Sequence, residues 1–321
     1  MGALPRSTFR KYALYFEEME LKSGTSGIIM KVLWESVGMM LVFSVGANES
    51  GDSNVVIKAE SMDFQGKVVV VTGASSGIGW AMALEFARRG ARLGLIARRE
   101  AQLQELSALL RAQGTQAVFS ICDVRDRQAV LAAFAELEQQ LGSVDILIAN
   151  AGVGTTNTIA HLNVTGTESV IRVNLLGVIY SIEAVLPKML ARREGQIVAI
   201  SSLASYKGLP SAAAYCASKS AINAYMESLR IQMRGTGVSF TTVCPGFIRT
   251  PMIEKNKGMF LIMSAERAAR IIARAVKRKK KVCNFPWLTT RLMKLTTWLP
   301  DWLLSRFMPE QVGGQGADET G

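Results

Sequence analysis

Val68–Gly79 reads VVVVTGASSGIG, and an Ala- and Leu-rich stretch from Trp80 to Arg89 follows it. The unbroken run of valines is the pattern of a strand covered on both faces. Glycines at 73, 77 and 79 permit a tight turn and close backbone approach to a ligand. The helix leaving such a turn offers unbonded N–H groups to an anion. A glycine cluster alone occurs in many turns. Placed between a strand and a helix, this one predicts a pyrophosphate cradle built by Thr72, Gly73, Ser75, Ser76, Gly77, Ile78 and Gly79.

The alternation continues downstream. Apolar runs rich in Val and Ile lie near 67–72, 92–96, 116–121, 144–149, 195–201, 237–243 and 281–285, with helix-length segments near 77–89, 100–113, 126–141, 167–193, 211–234 and 264–278. Strand–helix order with continuous apolar strands predicts an α/β fold, a Rossmann-like doubly wound parallel sheet in one domain. Ser264 before Ala265 and Glu266 reads as a helix start. The expected organisation is an N-terminal extension over 1–61, a catalytic domain over 62–285, a basic amphipathic segment over 286–310 and a disordered tail over 311–321.

Residues 1–61 do not share the rhythm. The uncharged stretch Ser36–Asn48 is too short to span a bilayer as a helix, which takes about 20 apolar residues. Val45 and Ala47 resemble a cleavage site, but Glu17, Glu18 and Glu20 do not suit a signal peptide. This region reads as a partly ordered extension, or as sequence upstream of a functional start near Met62.

Composition narrows the function. A hydrophobic fraction of 49% and a charged fraction of 20% describe a globular chain. Net charge is +11, and the window Lys255–Arg306, with thirteen Lys and Arg against two acids, carries all of that excess. Such asymmetry suits an anionic surface, and no reading motif accompanies the charge, so nucleic-acid binding is not expected. Cys122, Cys216, Cys244 and Cys283 are widely spaced in apolar surroundings, as buried thiols in a reducing compartment would be. His161 is the single histidine and has no nucleophile motif beside it, which argues against a Ser-His-Asp hydrolase and against a metal site.

The second strand ends in Ala97-Arg98-Arg99, where an NAD-selective site commonly carries a carboxylate for the ribose hydroxyls. Arg98 suits a 2′-phosphate through a forked, charge-assisted contact; the alternative is a pair of cations on a wet strand end. Asp123 and Val124 follow the third strand, and Asn150, Ala151 and Gly152 follow the fourth, where open sheets bind ligands. Each of these two segments is open to the plainer reading of an ordinary turn.

The chemistry is carried by Tyr215-Cys216-Ala217-Ser218-Lys219, preceded by an apolar strand ending in Ser201-Ser202. Tyr215 and Lys219 share one helix face. Hydride addition to a ketone builds negative charge on oxygen, so an acid must stand within hydrogen-bond reach. A phenol is a weak acid at neutral pH, and a neighbouring ammonium together with an oxidised nicotinamide stabilises its phenolate. Ser202 would polarise the same carbonyl oxygen.

Together with Asn174 and Pro245-Gly246, these segments resemble the short-chain dehydrogenase/reductase family in order and spacing, over about residues 63–285. Ala149, where many members have Asn, is a small departure. The resemblance implies Tyr215 as general acid/base, Ser202 as substrate orienter, Lys219 as holder of the nicotinamide ribose and Asn174 as the residue positioning a water in a proton relay. It also implies cofactor contacts at Pro245, Gly246 and Thr250, NADP(H) preference through Arg98, and a homo-oligomer. The expected activity is NADPH-dependent reduction of a carbonyl, or the reverse alcohol oxidation, in the cytoplasm. The rival is a non-catalytic NADP(H)-binding redox sensor or membrane-associated scaffold.

Two features bear on substrate and location. Met252, Ile253, Met259, Phe260, Leu261, Ile262 and Met263 occupy the family's lid segment, suiting an apolar, lipid-like ketone or simply burying the lid. Trp287, Leu288, Leu292, Leu295, Leu299, Trp302 and Leu303, with Arg291, Lys294 and Arg306 among them, follow the basic run Lys277–Lys281. Residues 277–307 therefore suit a membrane surface, the catalytic domain or a second subunit. Pro300 is expected to divide this segment into two helices.

Overall fold

The computed structural model describes residues 21–24, 27–34, 39–47, 53–155, 162–250 and 262–307. The chain divides into two compact units, Met1–Gln65 and Gly66–Gly321. His161, the lid residues 252–261 and the tail 311–321 lie outside the described residues.

The first unit, whose residues 1–61 read in the sequence as a partly ordered extension, contains regular elements that the sequence reading did not name. It holds a four-stranded antiparallel sheet in the order β1-β2-β3-β4, from Leu21–Gly24, Gly27–Trp34, Met39–Ala47 and Ser53–Ser61. Met39–Ala47 of the uncharged stretch form β3. Its nine residues pair with β4 from Met39↔Ser61 to Ala47↔Ser53. A length test for membrane helices misses such a segment, because a strand satisfies its backbone against a neighbour that composition does not reveal.

In the second unit the alternation folds as expected. β5 (Val68–Thr72) leads to α1 (Gly77–Arg88), β6 (Arg92–Ala97) to α2 (Glu100–Ala112), and β7 (Ala117–Ile121) to α3 (Arg127–Leu141). β8 (Ile146–Ala149) precedes a long helical run, and β9 (Gly195–Ile200) leads to α6 (Ala213–Gln232). β10 (Val238–Pro245), α7 (Ala265–Lys277) and β11 (Val282–Phe285) complete a seven-stranded sheet. All strands are parallel, in the order β11-β10-β9-β8-β5-β6-β7. Strand order reverses at β5, which pairs β6 on one side and β8 on the other.

The long run comprises α4 (Val164–Ile171), a π-helical turn at Arg172–Leu176 and α5 (Gly177–Ala191). By length and apolarity Val164–Ala191 could cross a membrane. Here its apolarity serves the core, since Val170, Val173, Val178, Ile182, Val185 and Met189 are buried and α5 packs on α3. Caps fix other helix starts. Ser264 Oγ accepts the Arg267 N–H at 3.3 Å, as the sequence suggested, and Asp126 Oδ1 accepts that of Ala129 at 3.1 Å.

The valines of β5 are fully buried, with Ile96, Phe134, Leu137, Leu147 and Ile197 packed in the core. Phe134, 1% exposed, belongs to the core cluster that joins α3 and α5 to the sheet. Phe134→Ala should therefore cost about 3–5 kcal/mol of unfolding free energy. An unchanged urea midpoint would contradict this placement.

Candidate active site

Loops leaving β5, β6, β8, β9 and β10 line one cavity of about 420 Å³ at the carboxyl edge of the sheet. Gly73 starts the glycine turn at φ +68, and a Cβ there would lie 2.8 Å from Ala151 Cα. A Cβ at Gly79 would fall 2.2 Å from the Gly73 carbonyl oxygen. Both positions exclude side chains; at Gly73 this leaves backbone to face the cavity, and at Gly79 it lets the helix start pack on the turn. Thr72 and Asn150 lock the turn. Thr72 Oγ1 accepts the N–H groups of Asn150 and Ala151 at 3.0 and 3.1 Å, and Asn150 Nδ2 donates to the Thr72 carbonyl at 3.0 Å.

Ser75, Ser76, Gly77 and Ile78 line this end, with Arg98, Asp123 and Val124 beside them. Arg98 is more than half exposed and stands 3.9 Å from Asp123. Burial opposes the charge of Asp123, yet the Arg125 guanidinium bonded to it at 2.6 Å holds its carboxyl below the usual range. Arg99 is the residue that sequence reasoning passed over. Its guanidinium donates to Ser75 Oγ at 3.0 Å and to Ser76 Oγ at 2.6 Å, inside the glycine turn. The signal was adjacency: a strand end bearing two cations can direct both to one phosphate.

At the other end stand Ser202, Tyr215 and Lys219, with Gly152, Pro245, Gly246 and Thr250. Ser202 caps a 3-10 turn over Leu203–Ser205, accepting the Ala204 N–H at 3.1 Å. Lys219 Nζ donates to the Ile200 carbonyl at 2.9 Å and lies 5.6 Å from the Tyr215 ring centroid. Burial pulls the Lys219 ammonium down to about 8. Burial also raises the Tyr215 phenol above its ordinary value, against a hydrogen bond from Ser202 that lowers it. The expected depression of the phenol by Lys219 is thus not a property of the protein alone. The ammonium faces the ring and Ile200, and desolvation prevails at the hydroxyl.

Three residues of the sequence reading stand behind the wall rather than on it. Thr72 is buried and used by the clamp, Gly79 is needed for packing, and Asn174 is wholly buried. Asn174 sits in the π turn, where Oδ1 accepts the Val153 N–H at 2.8 Å and Nδ2 donates to the Val153 carbonyl and Ser218 Oγ, each at 3.0 Å. Ser218 Oγ donates in turn to the Tyr215 carbonyl at 2.8 Å. A Cβ at Gly152 would lie 3.4 Å from Asn174 Oδ1 and 3.5 Å from Lys219 Nζ. Asn174 therefore ties the β8 loop to the helix bearing Tyr215.

Cys122 lines the cavity with its thiol pushed up to about 11 by burial. All four cysteines are free and buried, as their surroundings in the sequence suggested. Among the described residues no cluster could hold a metal ion.

The glycine cradle, the switch-point crevice and the Tyr/Lys pair fit a nicotinamide dinucleotide. Residues 67–259 match the family model for short chain dehydrogenases. The chain is a member of that family. It is 37% identical over 233 residues to an uncharacterized oxidoreductase of Myxococcus xanthus, covering 71% of this chain and 92% of that one. It is 31% identical over 278 residues to short-chain dehydrogenase/reductase 3 of Bos taurus, covering 84% and 92%. Among solved structures, an alcohol dehydrogenase from Thermococcus sibiricus complexed with 5-hydroxy-NADP superposes with a TM-score of 0.62 at 28% identity, over 68% of this chain and 94% of that one. A short-chain dehydrogenase/reductase from Burkholderia phymatum in complex with NAD gives 0.67 at 26% identity, over 79% and 99%. The chain is accordingly an NAD(P)-dependent oxidoreductase.

Gly73→Ala should strain the turn and push Ala151 outward. Dinucleotide affinity, measured by titration calorimetry, is expected to fall at least about tenfold with the circular dichroism spectrum unchanged. Wild-type affinity in the variant would refute the cradle.

Proposed function

We propose that this short-chain dehydrogenase reduces an apolar ketone with NADPH, and that Tyr215 supplies the proton. The observation that carries the reading is the meeting of Ser202, Tyr215 and Lys219 at one end of a cavity whose other end holds the glycine turn and two arginines. When bound, a reduced nicotinamide supplies the hydride. The protein's own residues then manage charge and position.

Ser202 and the Tyr215 hydroxyl receive the substrate oxygen, the first as an orienting donor and the second as the acid. Burial keeps the phenol protonated before reaction, which suits the reductive direction. Lys219, buried among few polar partners, offers its charge to the cofactor ribose and to the phenolate as it forms. Asn174 is a positioning residue in this scheme, holding Val153 and, through Ser218, the backbone of Tyr215. Its buried amide supports a relay at most through neighbouring backbone or water, since the side chain does not line the cavity.

NADPH is favoured over NADH by the pair Arg98 and Arg99, by the place of Ala97 where a carboxylate would otherwise stand, and by the two serines that Arg99 already engages. Ile248 and Val153 extend the substrate end with apolar surface, in keeping with an apolar carbonyl compound. Four buried free thiols suit a reducing compartment such as the cytoplasm.

Three measurements test the reading. With a panel of short-chain, long-chain and sterol-like ketones, Tyr215→Phe should lower turnover by about 10²–10⁴-fold. Equal NADPH consumption by the variant would sink the assignment. Arg98→Ala and Arg99→Ala should each reduce the NADPH-to-NADH preference by about tenfold, and an unchanged ratio in both would remove the NADPH claim. Because Lys219 loses its charge as pH rises through about 8, kcat/KM for reduction should be level below that point and decline above it. A level profile beyond it would show that the Lys219 charge is not used.

A further inference from the structure

Helix α8 (Trp287–Thr296) is turned the opposite way from an ordinary surface helix. Thr290 is buried and Thr289, Met293 and Thr296 are half-buried, while Trp287, Leu288, Leu292 and Leu295 are 68%, 43%, 53% and 60% exposed. At 3.6 residues per turn the outward set forms one stripe. A surface helix normally buries its apolar stripe and presents its polar one. Here the inward face even holds the Thr289 hydroxyl, buried without a hydrogen-bond partner among the described residues. Trp298 and Trp302, 86% and 69% exposed, extend the apolar surface to α9 (Asp301–Phe307). A contiguous patch of this kind marks a contact surface.

The charges on this segment select its occupant. Arg291 lies within the outward stripe, its guanidinium 5.3 Å from the Trp287 ring centroid, and Lys294 is exposed at the edge of that stripe. Arg306 is exposed. Asp301, the one acid between Pro286 and Phe307, is paired with Lys207 at 2.9 Å. A second copy on this face would set like charges against each other, because Arg291, Lys294 and Arg306 are exposed along the segment and its single acid, Asp301, is already paired with Lys207. We infer that the outward stripe of α8, with Trp298 and Trp302, docks on a bilayer surface that contains anionic lipid. A ten-residue helix is about 15 Å long, half the hydrocarbon thickness. It lies in the interface, with tryptophans and leucines in the headgroup boundary and cations at the phosphates.

The docking surface is joined to the cavity. Lys294 Nζ lies 5.4 Å from the Tyr206 ring centroid, and Lys207 Nζ donates to the Leu299 carbonyl at 3.4 Å. Tyr206 and Lys207 directly follow the turn capped by Ser202. Pro286, which precedes α8, abuts Gly246 in the cavity wall, 3.1 Å from the point a Cβ there would occupy. Membrane contact thereby brings the substrate end of the cavity to the lipid surface. The inference stands on the tail's own geometry and holds whether or not the carbonyl chemistry is as proposed.

The test is flotation of the full chain with phosphatidylcholine vesicles, with and without phosphatidylglycerol, beside the variant Leu288→Glu/Leu292→Glu. Both leucines are exposed, so the variant should melt at the wild-type temperature. Wild type should float with the anionic vesicles and at least about tenfold less with the zwitterionic ones, and the variant should lose flotation. Should the variant fold poorly, quenching of wild-type tryptophan fluorescence by brominated lipid in anionic vesicles is the substitute readout, and quenching is expected. Four results would overturn the inference: no flotation on anionic vesicles, equal flotation on both kinds, flotation retained by a folded variant, or absent quenching. A wild-type dimer that the variant converts to monomer would assign the face to a second copy instead.

Discussion

The site depends on the reversal of strand order about β5. Because β6 and β8 flank the same strand, the connections leaving β5 and β8 run to opposite faces of the sheet and part from each other, which opens a crevice at their carboxyl ends. The crevice would be loose without a fastening. Thr72 Oγ1 supplies it by taking two backbone N–H groups from the start of the β8 loop, and Asn150 returns a hydrogen bond to the Thr72 carbonyl. These contacts join residues 78 and 79 positions apart in sequence, and the glycine turn is held in shape by them.

Beyond this fastening, burial sets the electrostatics. Lys219 is 4% exposed with the Ile200 carbonyl as a partner, and its ammonium is pulled down to about 8. Desolvation of that kind is costly to the protein alone and is offset when a polar or negatively charged partner arrives. Tyr215 is raised by burial for the same reason. The phenol is thus held protonated, and the ammonium keeps its charge but gives up its proton more readily than a free lysine until the site is filled, an arrangement suited to chemistry that begins with a protonated phenol.

Much of the fold was legible from residue order. Val68–Val71, Leu93–Ile96 and Ile197–Ile200 read as buried strands because a parallel strand has no wet face, and their positions matched the structure closely. The long helix carrying Asn174 was foreseen near 167–193, but its π turn was not, since nothing in the residue types of Arg172–Leu176 distinguishes an i→i+5 turn from an α-helical one. The N-terminal sheet was missed because its strands are defined by pairing, and pairing is a relation between segments. Of the site, the glycine turn, Ser202, Tyr215 and Lys219 could be named from the sequence, whereas the bonding of Arg99 to Ser75 and Ser76 needed the loops in place.

The sequence by itself determined the strand–helix order, the glycine turn, the Tyr/Lys pair and the concentration of positive charge toward the C-terminus, because each is a local pattern of residue type and spacing. Only the tertiary structure decided which groups line the cavity and which stand behind it, as with Asn174 and Thr72. It alone turned α8 outward. An amphipathic stripe fixes which residues share a face, but which way that face points is settled by the neighbours packed against the helix, here the β11 strand and the turn beyond Ser202.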